Sequence, residues 1–319
     1  MALTAEQSPP QGSAPLRDIR VVASAPSIAK QGGRPWRRLL DALAREGIGY
    51  DLFTTDAPGH ATTLARECAL SGCEMVVAVG GDGTIGEVVN GLMQVPIEQR
   101  PPLGILPLGR GNDFVRTLDF PTDPLEVARL LREGTPRPLD VGRMTCRALD
   151  GEGTREVYSV NVLSIGFAAD VTQSVATYGR NLGGTWPYVL GLVSNLLRWK
   201  NKPAEIIVDG QKHVVDVFTV NVGNGRFYGG GMYAAPGAAI DDGLFDVVII
   251  EGLSVPEVIW LMPTNYNGNF EAVKKVRMVR GSRVELNTPA PALVQIDGDI
   301  AGQTPATCEI HKHAVRLIY

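Results

Sequence analysis

Short apolar runs alternate with stripes of helical spacing from Asp18 to about Asp140, and few folds accommodate that rhythm. Ile19-Arg-Val-Val-Ala23 reads as a buried strand, and Trp36, Leu39, Leu40 and Leu43 then recur at helical intervals. Tyr50-Asp-Leu-Phe-Thr54 reads as a second strand, followed by a stripe of Ala61, Leu64, Ala65 and Cys68. Met75-Val-Val-Ala-Val79 and Leu103-Gly-Ile-Leu-Pro107 supply a third and a fourth. A βαβα order of this kind predicts a parallel sheet covered by helices.

Beyond Asp140 the rhythm changes. Glu156–Val162, Ala204–Val208, His213–Asn221, Leu244–Ile250, Val284–Leu286, Leu293–Ile296 and Ala314–Ile318 are strand-like, with Gly and Asp-Gly between them. That spacing predicts a mainly antiparallel second domain. Thr185–Lys200, TWPYVLGLVSNLLRWK, is the exception: helical, apolar nearly all round and too short to span a bilayer. Burial in a core is the simpler expectation for it, with an acyl pocket or membrane contact as the alternative.

A length of 319 residues suggests about two domains, and 44% hydrophobic residues are ample for their cores. The net charge of −4 gives no global attraction for nucleic acid. Residues 1–17 are small, polar and Pro-rich, without the basic start and apolar middle of a secretory signal, and read as a disordered tail. Cys68 and Cys73 could form half of a metal site. No second pair completes it, so the four cysteines, with Cys146 and Cys308, read as free thiols in a reducing cytoplasm.

The third strand runs into GGDGTIGEVVNGL, Gly80 to Leu92. Gly81-x-Gly83-x-x-Gly86 formally matches the dinucleotide fingerprint. The acid expected about 20 residues on is missing, because Pro101–Leu108 reads PPLGILPL. No Walker sequence is present either. The turn still suits phosphate, since glycines admit close backbone approach and a helix N-terminus favours an anion. Asp82 would repel bare phosphate and makes sense beside Mg²⁺; alternatively it caps the helix begun at Ile85. A second glycine turn, Leu106–Phe114 (LPLGRGNDF), should reach the same carboxyl edge of the sheet. Two such turns together favour a nucleotide pocket.

These blocks, with Leu139-Asp-Val-Gly142, Gly229-Gly-Gly-Met232, Ile240-Asp-Asp-Gly-Leu-Phe-Asp-Val-Val-Ile and Val294-Gln-Ile-Asp-Gly-Asp299, occur in order over residues 18–319. The ordered set resembles the soluble diacylglycerol kinase and lipid kinase family, which includes sphingosine and ceramide kinases. The resemblance implies an α/β plus β fold, with a Rossmann-like α/β nucleotide domain over 18–140 and a β-sandwich over 141–319. Its last strand would return to the first domain, and the site would lie in the cleft between the two. The implied chemistry is ATP- and Mg²⁺-dependent transfer of the γ-phosphate to a hydroxyl of diacylglycerol or a related lipid. ATP positions would be Thr55, Gly81, Asp82, Gly83, Thr84, Ile85, Gly86, Glu87 and Arg110, and a magnesium site would fall on Asp242 with backbone oxygens near Ala239 and Leu244. A plain Asp-Gly turn fits Asp242 equally well.

Asp297 and Asp299 lie two apart, so on an extended segment both carboxylates would face one way. Resemblance makes Asp299 the base for the acceptor hydroxyl, with Asp297 and Asp82 organising Mg²⁺ or its waters and Asp140 either supporting the acids or serving a structural role. The other reading of this pair is a hairpin with solvated acids. Ala25-Pro-Ser-Ile-Ala29 replaces the usual Asn-Pro-x-Ser-Gly. Gly86 stands for asparagine, Arg110 for threonine and Asp299 for glutamate. Two accounts follow: a lipid kinase with altered nucleotide contacts, or a catalytically weak nucleotide- or lipid-binding regulatory member of the fold. An NAD-kinase-like enzyme ranks below both. The expected partners are a lipid substrate, no nucleic acid, transient peripheral contact with the inner membrane face from the cytoplasm, and a second copy in a homodimer.

Overall fold

The computed structural model describes residues 18–30, 33–109, 111–178 and 186–319; the N-terminal tail, Arg110 and Thr185 lie outside them. Two compact units are present, one running to Leu139 and taking in Ala314–Tyr319, the other spanning Asp140–His313.

In the first unit the elements are β1 (Ile19–Ala23), α1 (Ala25–Lys30), α2 (Arg34–Arg45), β2 (Asp51–Thr54), α3 (His60–Leu70), β3 (Met75–Gly80), α4 (Asp82–Met93), β4 (Leu103–Pro107), α5 (Asp113–Thr117) and α6 (Pro124–Glu133). The sheet is parallel in the order β2-β1-β3-β4. All six residues of β3 are buried, as a central parallel strand covered on both faces requires. Leu39, Ala42 and Leu43, one helical stripe, are the residues α2 buries. The chain's last strand segment joins this sheet, with Leu317 opposite Leu103 in parallel register. Ala314–Ile318 therefore extends the parallel sheet, although its sequence reads like the antiparallel segments before it.

The second unit contains β5 (Pro136–Arg147, which starts in the first), β6 (Thr154–Ser159), β7 (Val162–Gly166), α7 (Phe167–Tyr178), α8 (Trp186–Arg198), β8 (Lys202–Val208) and β9 (Gln211–Gly223). There follow β10 (Phe227–Tyr228), β11 (Met232–Tyr233), β12 (Phe245–Glu251), α9 (Val255–Leu261), α10 (Thr264–Asn267), β13 (Val276–Gly281), β14 (Arg283–Asn287), β15 (Leu293–Ile296) and β16 (Asp299–Ile318). Antiparallel pairings close a ring: β9 with β7, β7 with β15, β15 with β16, β16 with β14, β14 with β8, and β8 back to β9. Long β9 and β16 serve both layers of this β-sandwich. Strand alternation sends Leu163, Ile165, Val220, Val222, Val294 and Ile296 to its core, against Ile206, Val208 and Leu286. A second apolar cluster on the outer face holds Phe167, Phe218, Val248 and Ile250 against α7, α8 and α9.

Two expectations need correction. Glu156–Val162 is not one strand, since β6 ends at Ser159 and β7 begins at Val162; between them the Asn161 carbonyl accepts the amides of Asn224 and Gly225. The apolar helix is not buried all round. Leu192, Leu196 and Trp199 of this segment pack inward, whereas Val193 is 48% and Leu197 72% exposed. All four cysteines are buried and free, and burial pushes the Cys68 and Cys73 thiols up to about 11. Such thiols remain protonated, and the described residues hold no cluster of three or more His, Cys, Asp or Glu suited to a metal.

Candidate active site

In the first unit the two glycine turns touch backbone to backbone. A Cβ at Gly81 would lie 3.1 Å from the Gly109 Cα, and one at Gly109 would collide with Gly81. Only glycine permits that approach. Leu108 donates its amide to the Gly80 carbonyl at 2.8 Å, and Asn112 braces the second turn by accepting from the Gly109 amide at 3.0 Å. Asn112 sits at φ 51°, a left-handed conformation that Asn tolerates better than most residues. At the N-terminus of α4, Gly83 is exposed, with nothing within 4 Å of where its Cβ would stand. Glycine backbone, helix N-terminus and open space make a cradle that fits phosphate.

Asp82 caps neither its own helix nor open solvent. Its carboxylate accepts the amides of Asp113 at 3.1 Å and Phe114 at 2.9 Å, so it holds the first turn of α5 and fastens the second loop to the first. Capping of a helix begun at Ile85 is thereby corrected: α4 already includes Asp82, and Gly81 stands at its cap without a side-chain bond. Glu87 accepts the amides of Gly59 and Ala61 at 2.9 and 3.1 Å and so caps α3. Ile85 and Gly86 are buried inside the helix. The Thr55 hydroxyl accepts the Ala25 amide at 3.3 Å, joining β2 to the start of α1. Exposed Gly83, with Thr84 and Gly81 beside it, is what remains open to a ligand; Arg110 lies outside the described residues.

In the second unit, Asp297 and Gly298 form a two-residue hairpin turn between β15 and β16, with φ of 49° and 93°. The two acids therefore do not follow extended i, i+2 geometry. Asp297 turns inward, accepting from the Ser159 hydroxyl and the Val162 amide at 2.9 Å each. Asp299 pairs in register with Ile296 and is exposed. A buried polar chain supports the turn from behind. The Gly298 amide donates to Gln295 Oε1 at 2.9 Å, Gln295 Nε2 to Ser164 Oγ at 3.1 Å, Ser164 Oγ to Asn221 Oδ1 at 2.8 Å, and Asn221 Nδ2 to the Ala234 carbonyl at 3.3 Å. Each link has one donor and one acceptor, so these buried groups are satisfied. Sequence reasoning missed Ser159, Ser164, Asn221 and Gln295.

Asp242 does not stand as a metal ligand would. One carboxylate oxygen accepts the Leu244 amide at 3.0 Å, and the other is ion-paired with Arg280. Lys312 donates to the Asp242 carbonyl at 3.3 Å. With both carboxylate oxygens engaged, one of them by a guanidinium, Asp242 does not fit a divalent cation. Asp140 is fully buried and accepts the amides of Gly243 and His313 at 2.6 Å each. Burial raises its pKa, opposed by those two donors. It fixes the turn that carries Asp242, a structural role.

Residues 18–144 match the diacylglycerol kinase catalytic domain family, and residues 161–319 match the YegS C-terminal NAD kinase beta sandwich-like domain family. A diacylglycerol kinase of Bacillus subtilis is 30% identical over 263 residues, 82% of this chain and 83% of that one. A "probable lipid kinase YegS-like" protein of Chromohalobacter salexigens is 40% identical over 196 residues, 60% of this chain and 58% of that protein. The crystal structure of a "putative diacylglycerol kinase" from Bacillus anthracis superposes with a TM-score of 0.76 at 25% identity, covering 97% of each chain. The chain belongs to the diacylglycerol kinase family of lipid kinases.

Proposed function

We propose that this protein transfers the γ-phosphate of ATP, as its magnesium complex, to a hydroxyl of diacylglycerol or a related lipid. The observation that carries the reading is the contact of Gly81 with Gly109 beside the open Gly83 turn at the start of α4. Phosphoryl transfer depends on positioning and charge neutralisation more than on covalent chemistry. Backbone amides of the turn and the Thr84 hydroxyl hold the polyphosphate. Asp82 keeps the second loop in register with the first. Magnesium, when bound with the nucleotide, supplies neutralisation of the phosphate charge.

Asp299 accepts the proton of the lipid hydroxyl as its oxygen forms a bond to the γ-phosphorus and the bond to ADP breaks. The Ser159 and Val162 donors orient Asp297, and Asp297 in turn fixes the hairpin that presents Asp299. A lipid acceptor requires transient contact with a bilayer, at the cytoplasmic face where ATP is supplied. Among the described residues no helix is long and apolar enough to cross a membrane.

The test is transfer of labelled phosphate from γ-labelled ATP to diacylglycerol, monoacylglycerol, phosphatidylglycerol, sphingosine and ceramide in mixed micelles. A labelled lipid supports the proposal and names the acceptor. Nucleotide binding with silence across the panel supports the regulatory reading instead.

A further inference from the structure

We infer that a built-in guanidinium, Arg280, occupies the role a divalent cation would have in the turn Ala239–Leu244. The register of β12 and β13 places Arg280 directly across from Asp246, and its Nε donates to Asp246 Oδ2 at 3.0 Å. The other arm of the same planar fork reaches back to Asp242, in the turn that precedes β12. One side chain thus bridges two acids, a task for which an arginine fork is suited and which a single metal ion would otherwise perform.

Further side chains complete the arrangement. The Lys312 stem lies against Gly243, where a Cβ would be 2.9 Å from its Cδ, while its ammonium donates to the Asp242 carbonyl. His313 Nε2 bonds the Asp241 carbonyl at 3.0 Å, and Arg226 Nε donates to the Ala238 carbonyl at 3.0 Å. Three backbone oxygens around the turn, those of Ala238, Asp241 and Asp242, are therefore already engaged by side chains of this chain. A dication entering here would have to displace Arg280 and sit beside Lys312. The turn is held without metal, and the divalent requirement of the enzyme comes through the nucleotide alone.

The test uses full-length, nucleotide-free protein and Mn²⁺ uptake followed by electron paramagnetic resonance, with thermal unfolding in Mg²⁺ or chelator as a second readout. Neither depends on lipid kinase activity, so the outcome is separate from that of the proposed function. Wild type should take up no Mn²⁺ that Asp242→Asn removes, and its melting temperature should be the same in Mg²⁺ and in chelator. Arg280→Gln should gain one Mn²⁺ per chain, and adding Asp242→Asn should abolish that gain. Should Arg280→Gln fail to fold, the comparison of wild type with Asp242→Asn decides alone. Wild-type Mn²⁺ uptake lost in Asp242→Asn would overturn the inference, as would a folded Arg280→Gln that gains none.

Discussion

Replacing Gly83 by alanine separates the stability of the first turn from its use. Gly83 lies in α4 with nothing within 4 Å of its Cβ position, and its φ is not in the left-handed region. Alanine there meets no clash and loses less backbone entropy, a gain of about 0.5–1 kcal/mol in a helix. For a unit of this size that corresponds to a rise of roughly 1–4 °C in melting temperature. If phosphate rests on this turn, the new methyl stands where a phosphate oxygen must approach. Loss of one charge-assisted hydrogen bond costs about 1.5–3 kcal/mol, or roughly a 10- to 150-fold weaker complex. Nucleotide-free melts and titration with a fluorescent ATP analogue read the two effects separately. Gly109→Ala should behave oppositely in the melts: its Cβ collides with Gly81, an overpacking that costs about 1–3 kcal/mol. A Gly83→Ala protein that melts higher yet binds nucleotide as well as wild type would refute the phosphate reading of the loop.

Glu87→Ala removes the acceptor for the Gly59 and Ala61 amides and should cost about 0.5–2 kcal/mol in a urea melt while leaving ATP affinity unchanged. Ser164→Ala breaks the buried chain between Gly298 and Ala234, stranding Gln295 Nε2 and Asn221 Oδ1; a loss of about 2–4 kcal/mol in the same assay is expected. The Lys275 ammonium, with Ser254, holds the Glu257 carboxyl down at about 2 from its ordinary 4.5. A depressed carboxyl pKa stabilises the fold above the unfolded value and ceases to do so as pH falls through the folded one. Melting temperature should therefore decline between pH 5 and 2 with a contribution that Glu257→Gln removes.

Much of this architecture was legible because its signals are local. The runs at Ile19, Met75 and Leu103 and the stripe at Leu39 and Leu43 became strands and a helix of the first unit, since burial on both faces writes itself into composition. The side-chain partners were not legible. Asp82 meets Phe114 across 32 positions and Glu87 meets Gly59 across 28, so no local pattern marks either as a cap for a different helix. The Asp297–Asp299 spacing misled because Asp-Gly prefers a tight hairpin turn, which cancels the geometry of an extended strand. In α8, Leu192 and Leu196 took the inward stripe and left Val193 and Leu197 outside, a division that all-round apolarity hides. Arg280 opposite Asp246 follows from strand register, which sequence alone leaves open.

The most direct measurement of the central claim is steady-state phosphoryl transfer by Asp299→Asn and Asp299→Glu on the lipid that wild type labels. If Asp299 takes the hydroxyl proton, the asparagine variant loses roughly 10²- to 10⁴-fold in kcat, keeps its affinity for ATP, and regains turnover as glutamate. An asparagine variant with wild-type kcat would contradict the account.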